Sequence, residues 1–267
     1  LEILLKKTGM ARATYYYHTK RLQEPDENED IRQSIRRIYE THKGRYGYRR
    51  VTAQLRSDGI TINHKKVQKL MVEMKLHGKR KKVRYKSYKG EVGKIAPNII
   101  DRDFVAAAPN QKWTTDITEV KIKDKKIYLS PILDMFNGEI ISYSISYSPN
   151  QHMVMTMLDK AFKKTPILTG LVLHSDQGIH YQHHRYQKAL KDKDIIQSMS
   201  RKGNCLDNAM MENFFGLMKS ELLYLQEWDS VEQFKKELIR YIHYYNNDRI
   251  KLRLNGKSPV QYRALFQ

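Results

Sequence analysis

From Lys112 onward the chain alternates in a way that admits few folds. The runs "KWTTDITEVKI", "KIYLSPILDM" and "EIISYSISYS" are strand-like, and "KDK" and "FNG" between them suit tight hairpin connections. Then come a helical stretch "NQHMVMTMLDKAFKK", a buried strand "ILTGLVLHSD", a helix "YQHHRYQKALKDK" and a short strand "IIQSMS". Three strands as a meander followed by alternating helices and strands predict an α/β mixed sheet with helices on its faces. A last helix is expected from about Ser230 to Asn247, followed by a basic tail.

Residues 203–223, "GNCLDNAMMENFFGLMKSELL", read as a helix that is apolar around most of its circumference, through Leu206, Met210, Met211, Phe214, Phe215, Leu217, Met218 and Leu222. Within it Asn208, Glu212 and Lys219 gather in a stripe about 40° wide. Two further acids sit oddly. Asp116 falls inside the first strand, where Asp is a poor strand former. Asp176 ends the fourth, and ligands of such sheets gather beyond strand C-termini. Parallel pairing of these two strands would bring Asp116 beside Asp176, and the polar stripe would then add Glu212. Three adjacent carboxylates repel, and a hard divalent cation removes that penalty. Singly, each acid could instead be a strand-end cap, a turn residue or an exposed glutamate; their joint placement favours the cluster.

Charge divides the chain. Lys and Arg total 49 against 29 Asp and Glu, a net charge of +20. Residues 1–100 hold 25 basic and 10 acidic residues, and 101–267 hold 24 and 19. A basic first third joined to a nearly balanced remainder suggests a polyanion-binding module attached to a differently employed domain. Residues 1–20 read as a helix, a turn at Gly9 and a second helix, the back half of a possible helix-turn-helix. The acidic "EPDENED" at 24–30 reads as a linker. Three short helices follow: one with Ile31, Ile35 and Ile38 at helical spacing, one ended by Gly59, and one capped by Asn63 with Val67, Leu70, Met71 and Met74 on its apolar face. His64, Lys65, Lys66 and Lys69 would face DNA, or form an ordinary solvated face. In "KRKKVRYKSYK", 79–89, seven of eleven residues are basic, which predicts a phosphate-gripping connector.

The stretches "WTTDIT", "HSDQGIHY" and "SRKGNCLDNAMMENFFGLMKSEL", with 35 residues between Asp176 and Glu212, resemble the catalytic core shared by retroviral integrases and one large family of bacterial insertion-sequence transposases. "RYGYRRV" and "GITINHKKVQKLM" resemble the helix-turn-helix region upstream of that core, and "YYNNDRIKLRLNGKSPVQYR" resembles its C-terminal signature. Together these cover most of residues 30–265.

The resemblance implies a ribonuclease-H-like mixed-sheet catalytic core preceded by a small all-α helix-turn-helix module. The parts would be a partial helical segment and acidic linker at 1–27, the DNA-binding module at 28–78, a basic linker at 79–106, the core at 107–225, and a C-terminal helix and basic tail at 226–267. It implies a DDE-type polynucleotidyl transferase that cleaves at element ends and transfers a 3′-hydroxyl onto a DNA phosphodiester. The first attack can fall on the opposite end of the same element, giving a circle. Asp116, Asp176 and Glu212 would be catalytic and metal-holding, with Asp116 bridging two Mg²⁺ ions for which Mn²⁺ substitutes. Lys219 and Asn208 would hold DNA or orient the carboxylate. Arg45, Arg49, Arg50, Lys65, Lys66, Lys69, Lys79, Arg80, Lys81, Lys82 and Arg84 would contact DNA. Partners would be double-stranded DNA, as terminal repeats and target, and a second copy of the chain at least. A nuclease that cuts without joining, and a non-catalytic DNA-binding regulator, are the alternatives.

No stretch approaches the length of a membrane span, and the lone Cys205 excludes an internal disulfide and any zinc site built on several cysteines. A bacterial cytoplasmic, nucleoid-associated protein is expected. The absence of an initial Met suggests a fragment or a processed chain. His180, His183 and His184 read as a surface helix rather than a metal site, His174 either pairs with Asp176 or is a satisfied strand-end histidine, and "YIHYYNN" reads as core packing.

Overall fold

The computed structural model describes residues 1–23, 26–79, 95–166 and 168–266. Arg80, Lys81, Lys82 and Arg84 lie outside the described residues. The chain forms two units, Leu1–Gly78 and Lys79–Gln267.

The first unit is helical: α1 (Glu2–Thr8), α2 (Arg12–Gln23), α3 (Glu29–Thr41), α4 (Tyr48–Ser57) and α5 (His64–Glu73). The apolar positions read at helical spacing supply its core, with Ile35 and Ile38 of α3, Val51 and Leu55 of α4, and Val67, Leu70 and Met71 of α5 all buried. Asn63 caps α5 by accepting the Lys65 N–H at 2.9 Å. Arg32 of α3 bonds both Asp26, at 2.7 Å, and Glu73, at 2.5 Å, which ties the end of α5 to α3. Gly59, with φ of 87°, ends α4 as its sequence position suggests.

The second unit is a mixed sheet between two helical layers. Its strands are β1 (Lys112–Thr115), β2 (Thr118–Ile122), β3 (Lys125–Asp134), β4 (Ile140–Ser146), β5 (Val172–Ser175) and β6 (Ile196–Met199). β3 pairs antiparallel with β1, β2 and β4, whereas β1–β5 and β5–β6 are parallel. β1 and β2 share one register against β3: Thr115 faces Ile132 and Thr118 faces Leu129. They are therefore one expected strand, interrupted at Asp116 and Ile117. Continued, that register sets Asp116 opposite Pro131, which has no N–H to donate. The Pro131 carbonyl instead accepts the Thr115 hydroxyl at 2.8 Å. Asp116 thus stands just past a strand end, not inside a strand.

On one face, Val120, Ile122, Ile127 and Leu129 meet Met211, Phe214, Phe215 and Met218 of α9 (Ala209–Met218) and Phe234, Leu238 and Tyr241 of α10 (Val231–Asn247). On the other, Trp113, Ile132 and Leu173 meet Val154, Met157 and Leu158 of α6 (Gln151–Lys164) and Tyr181, Tyr186 and Leu190 of α7 (Ile179–Gln182) and α8 (His184–Lys191). The expected helix over 181–193 is broken at His183, whose extended backbone caps α8 through its own ring nitrogen to the Arg185 N–H. The helix expected over 203–223 is a 3₁₀ turn (Cys205–Asn208), α9, and a π turn (Lys219–Leu223). Segment 226–266 packs into the same unit. Arg263 of α11 (Pro259–Arg263) reaches Asp134 at 2.6 Å and Glu139 at 2.5 Å, and the buried Arg249 forks onto Glu221 at 2.8 and 2.7 Å. Two cations of this segment, Arg249 and Arg263, are thus spent on internal acids.

Candidate active site

The parallel register of β1 and β5 builds the centre of the site. Lys112 faces Val172 and Thr114 faces His174, so two residues on, past both strand ends, Asp116 faces Asp176. Neighbouring strands lie about 4.8 Å apart, which makes the two carboxylates near neighbours. Asp116 Oδ1 accepts the Ile117 N–H at 2.7 Å, and Asp176 Oδ1 accepts the Gly178 N–H at 2.9 Å. The second oxygen of each has no hydrogen-bond partner among the described residues, and neither acid forms a salt bridge there. Burial first, then the charge of Asp176, pushes the Asp116 carboxyl well above the usual carboxylate range; Glu212 adds to the rise. Burial likewise raises Asp176 and Glu212.

Glu212 is delivered by α9. Asn208, one turn before it, is buried with both ends of its amide engaged on β1. Its oxygen accepts the Thr114 hydroxyl at 2.5 Å, and its nitrogen donates to the Thr115 carbonyl at 3.1 Å. Of the two roles expected for Asn208, holding DNA or orienting the carboxylate, these buried contacts suit the second, since they join the start of α9 to the strand end next to Asp116. Glu212 itself is half-buried and accepts no hydrogen bond among the described residues. Its charge is felt at Asp116, yet no three acids, histidines or cysteines among the described residues form a closed metal-ligand group. The structure therefore brings Asp116 and Asp176 together and leaves Glu212 on the adjoining helix, near but not converged.

Lys219 is also half-buried at this centre. Burial lowers its ammonium below the ordinary value, and the charges of Asp116 and Glu119 pull it back up. His180, expected on a surface, is half-buried beside Asp176: burial lowers its pKa and the Asp176 charge raises it. The signal for it was its place four residues after Asp176 in "SDQGIH". At Gly178 a Cβ would meet Asp176 Oδ1 at 2.9 Å, so only glycine leaves that carboxylate in place. His174 is the satisfied strand-end histidine, bonded to Ser198 Oγ at 2.8 Å and Ser200 Oγ at 3.1 Å, and burial takes its pKa down to about 4.

In the helical unit, Arg49, Lys65, Lys66 and Lys69 are exposed, as is Lys79 at the start of the second unit. Arg45 is half-buried, and Arg50 lies over the Tyr46 ring at 5.5 Å, bracing the start of α4 instead of standing in solvent.

The donor set at the strand ends suits a hard divalent cation: two adjacent, partly buried carboxylates, each with an unengaged oxygen and neither in a salt bridge among the described residues. Integrase core domain families match residues 106–205 and 212–265, and an HTH-like domain family matches 25–84. Over 263 residues the chain is 51% identical to InsK of Escherichia coli (strain K12), described as a transposase for insertion sequence element IS150, covering 98% of this chain and 93% of that one. A Lactococcus lactis transposase of insertion sequence element IS904 is 36% identical, covering 92% and 98%. Among solved structures, the HTLV-2 integrase catalytic core domain in complex with magnesium superposes with a TM-score of 0.48 at 20% identity, over 59% of this chain and 98% of that one.

Proposed function

Because the chain belongs to the insertion-sequence transposases that carry an integrase core domain, we propose that Asp116, Asp176 and Glu212 are the carboxylates on which its DNA transposition chemistry depends. The observation that carries this is the shared β1–β5 register, which aligns two partly desolvated acids with no ion-pair partner among the described residues. Mg²⁺, with Mn²⁺ as a substitute, would be held by these three carboxylates, and two such ions would supply Lewis-acid activation of the attacking and leaving oxygens.

The chain's own residues do the rest. Asp116 and Asp176, fixed by the Ile117 and Gly178 amides, present their second oxygens without needing to rearrange. Asn208 holds α9 so that Glu212 has only a short distance to close when DNA and metal arrive. Lys219 sets a positive charge beside Asp116, suited to a DNA phosphate. The helical unit, through the exposed Lys65, Lys66 and Lys69 of α5, retains DNA while the core cleaves an element end and joins the resulting 3′-hydroxyl to another phosphodiester. Joining two ends requires both at one assembly, hence at least two copies on DNA.

Outward-facing PCR for joined element ends tests this, in cells expressing the wild type or Glu212→Gln. Junctions from the wild type alone support the reading. Cleaved ends without junctions would make it a nuclease that does not join, and equal junctions from both proteins would remove Glu212 from the chemistry.

A further inference from the structure

α9 carries Glu212 but does not fix its own start. Asn208, just ahead of it, makes no side-chain capping bond to the helix, and the turn before that is 3₁₀. The aim of a helix begun in this way is set by whatever grips the residues at its entry.

Two consecutive residues are gripped there, by different parts of the unit. Asn208 is bonded to Thr114 and Thr115 of β1. Asp207 is fully buried and accepts five hydrogen bonds among the described residues. Arg201 supplies three, from its backbone N–H at 3.0 Å and from two guanidinium nitrogens at 2.8 Å each. Arg102 Nε adds one at 2.9 Å and Asn98 Nδ2 one at 3.2 Å, both from more than a hundred residues earlier. The Arg201 guanidinium above all, against the cost of burial, holds the Asp207 carboxyl well below the usual carboxylate range. With both oxygens engaged, this acid differs from Asp116 and Asp176: it clasps and does not wait for a cation.

The far arm of the clasp is itself anchored. The Met199 N–H goes to the Pro97 carbonyl at 3.2 Å, and Ser198 Oγ, which also bonds His174, accepts the Ile99 N–H at 2.9 Å. Asn98 and Arg102 therefore reach Asp207 from chain laid along β6. Successive residues of a 3₁₀ turn point about 120° apart, so one grip leaves α9 able to swivel and two grips fix its rotation. Glu212 feels that rotation one turn further on. A carboxylate about 5–6 Å from a helix axis moves about 1 Å when the helix turns by about 10°, a misplacement that costs on the order of 100-fold in rate.

We propose that Asp207 is a positioning residue for Glu212, and that Arg102 and Asn98, by holding its carboxylate, set the rotation of α9 that aims Glu212 at Asp116 and Asp176. The proposal rests on the reading of Glu212 as one of the metal-holding carboxylates.

Removing Asp207 itself would leave Asn98, Arg102 and Arg201 without their shared acceptor and unsettle the fold, so the far arm is cut instead. Binding of Mn²⁺ alone to the full chain is titrated by the loss of the free-ion electron paramagnetic resonance signal. Glu212→Gln should weaken binding, and Asn98→Ala with Arg102→Ala should weaken it about 10-fold. Added to Glu212→Gln, the same pair should weaken it no further, because the clasp acts only through Glu212. Arg102→Lys, which keeps a charged donor for Asp207, should bind as the wild type does. An Asn98, Arg102 variant that binds Mn²⁺ like the wild type would overturn the proposal, and so would an equal loss in the Glu212→Gln background. A Glu212→Gln protein that binds as tightly as the wild type, or a wild type that binds no Mn²⁺, would overturn the metal-holding reading of Glu212 and this proposal with it.

Discussion

Replacing Asp116 by Asn should make the metal-free protein more stable. In the wild type two carboxylates face each other across adjacent strands, and burial with mutual repulsion raises the Asp116 carboxyl. Two like charges about 5 Å apart at an effective dielectric of about 20 repel by about 3 kcal/mol. Asn keeps the oxygen that accepts the Ile117 N–H and removes the charge. For a unit of this size each kcal/mol moves the midpoint by roughly 2–4 °C, so with EDTA at pH 7 the variant should melt on the order of 5–10 °C higher. The sign with pH follows from the raised carboxyl. Its contribution to wild-type stability is fully present below the unfolded-state value and is lost as pH rises through the folded one, so the advantage of the variant should shrink toward pH 4. Saturating Mg²⁺ should reverse the order: a ligand at 100 times its dissociation constant stabilises by about 2.7 kcal/mol, and the variant has one charge fewer to hold it. Calorimetry of both proteins with EDTA and with MgCl₂ at several pH values measures all of this. A variant that melts no higher than the wild type in EDTA at pH 7, or gains as much from Mg²⁺, would refute the carboxylate pair as a charged, metal-ready centre.

Gly178→Ala places a methyl 2.9 Å from Asp176 Oδ1 and 3.4 Å from the Tyr181 ring, and the displaced carboxylate should cost about 100-fold in end joining with DNA retention intact, read by in vitro strand transfer and gel shift. Asn208→Ala strips both contacts between α9 and β1 and strands the Thr115 carbonyl; about 1–3 kcal/mol should be lost in urea titration, together with joining activity. Arg263→Ala leaves Asp134 and Glu139 buried without their shared guanidinium, and should cost about 3–5 kcal/mol by chemical denaturation.

Much of the core could be read from local pattern. The alternation of β2 between Thr118, Val120 and Ile122 inward and Glu119 and Lys121 outward follows from period two, and the Ser230 cap of α10 lies where the sequence puts it. Even the pairing of the strands carrying Asp116 and Asp176 follows from the order of elements. What escaped the sequence depended on residues distant along the chain. The break at Asp116 is set by Pro131 across the ladder, and the hydrogen-bond partners of Asn208 are two threonines more than ninety residues earlier. His180 looked like one member of a surface histidine run because α7 and α8 looked like one helix; the extended backbone at His183 separates them and leaves His180 beside the carboxylate. Arg249 and Arg263 read only as part of a basic tail because the acids that bind them, Asp134, Glu139 and Glu221, lie in other elements.

The shared rung of Asp116 and Asp176 also says where the chain can be edited. The loops between the two aspartates lie on a detour that returns to the same rung, so their lengths can change as long as β1 keeps its pairing with both β3 and β5. A peptide tag inserted at the Lys123–Asp124 turn should leave transposition standing. A single residue inserted between Lys112 and Asp116 should end it, because a strand alternates faces at every step and the aspartate would arrive on the wrong side of the sheet.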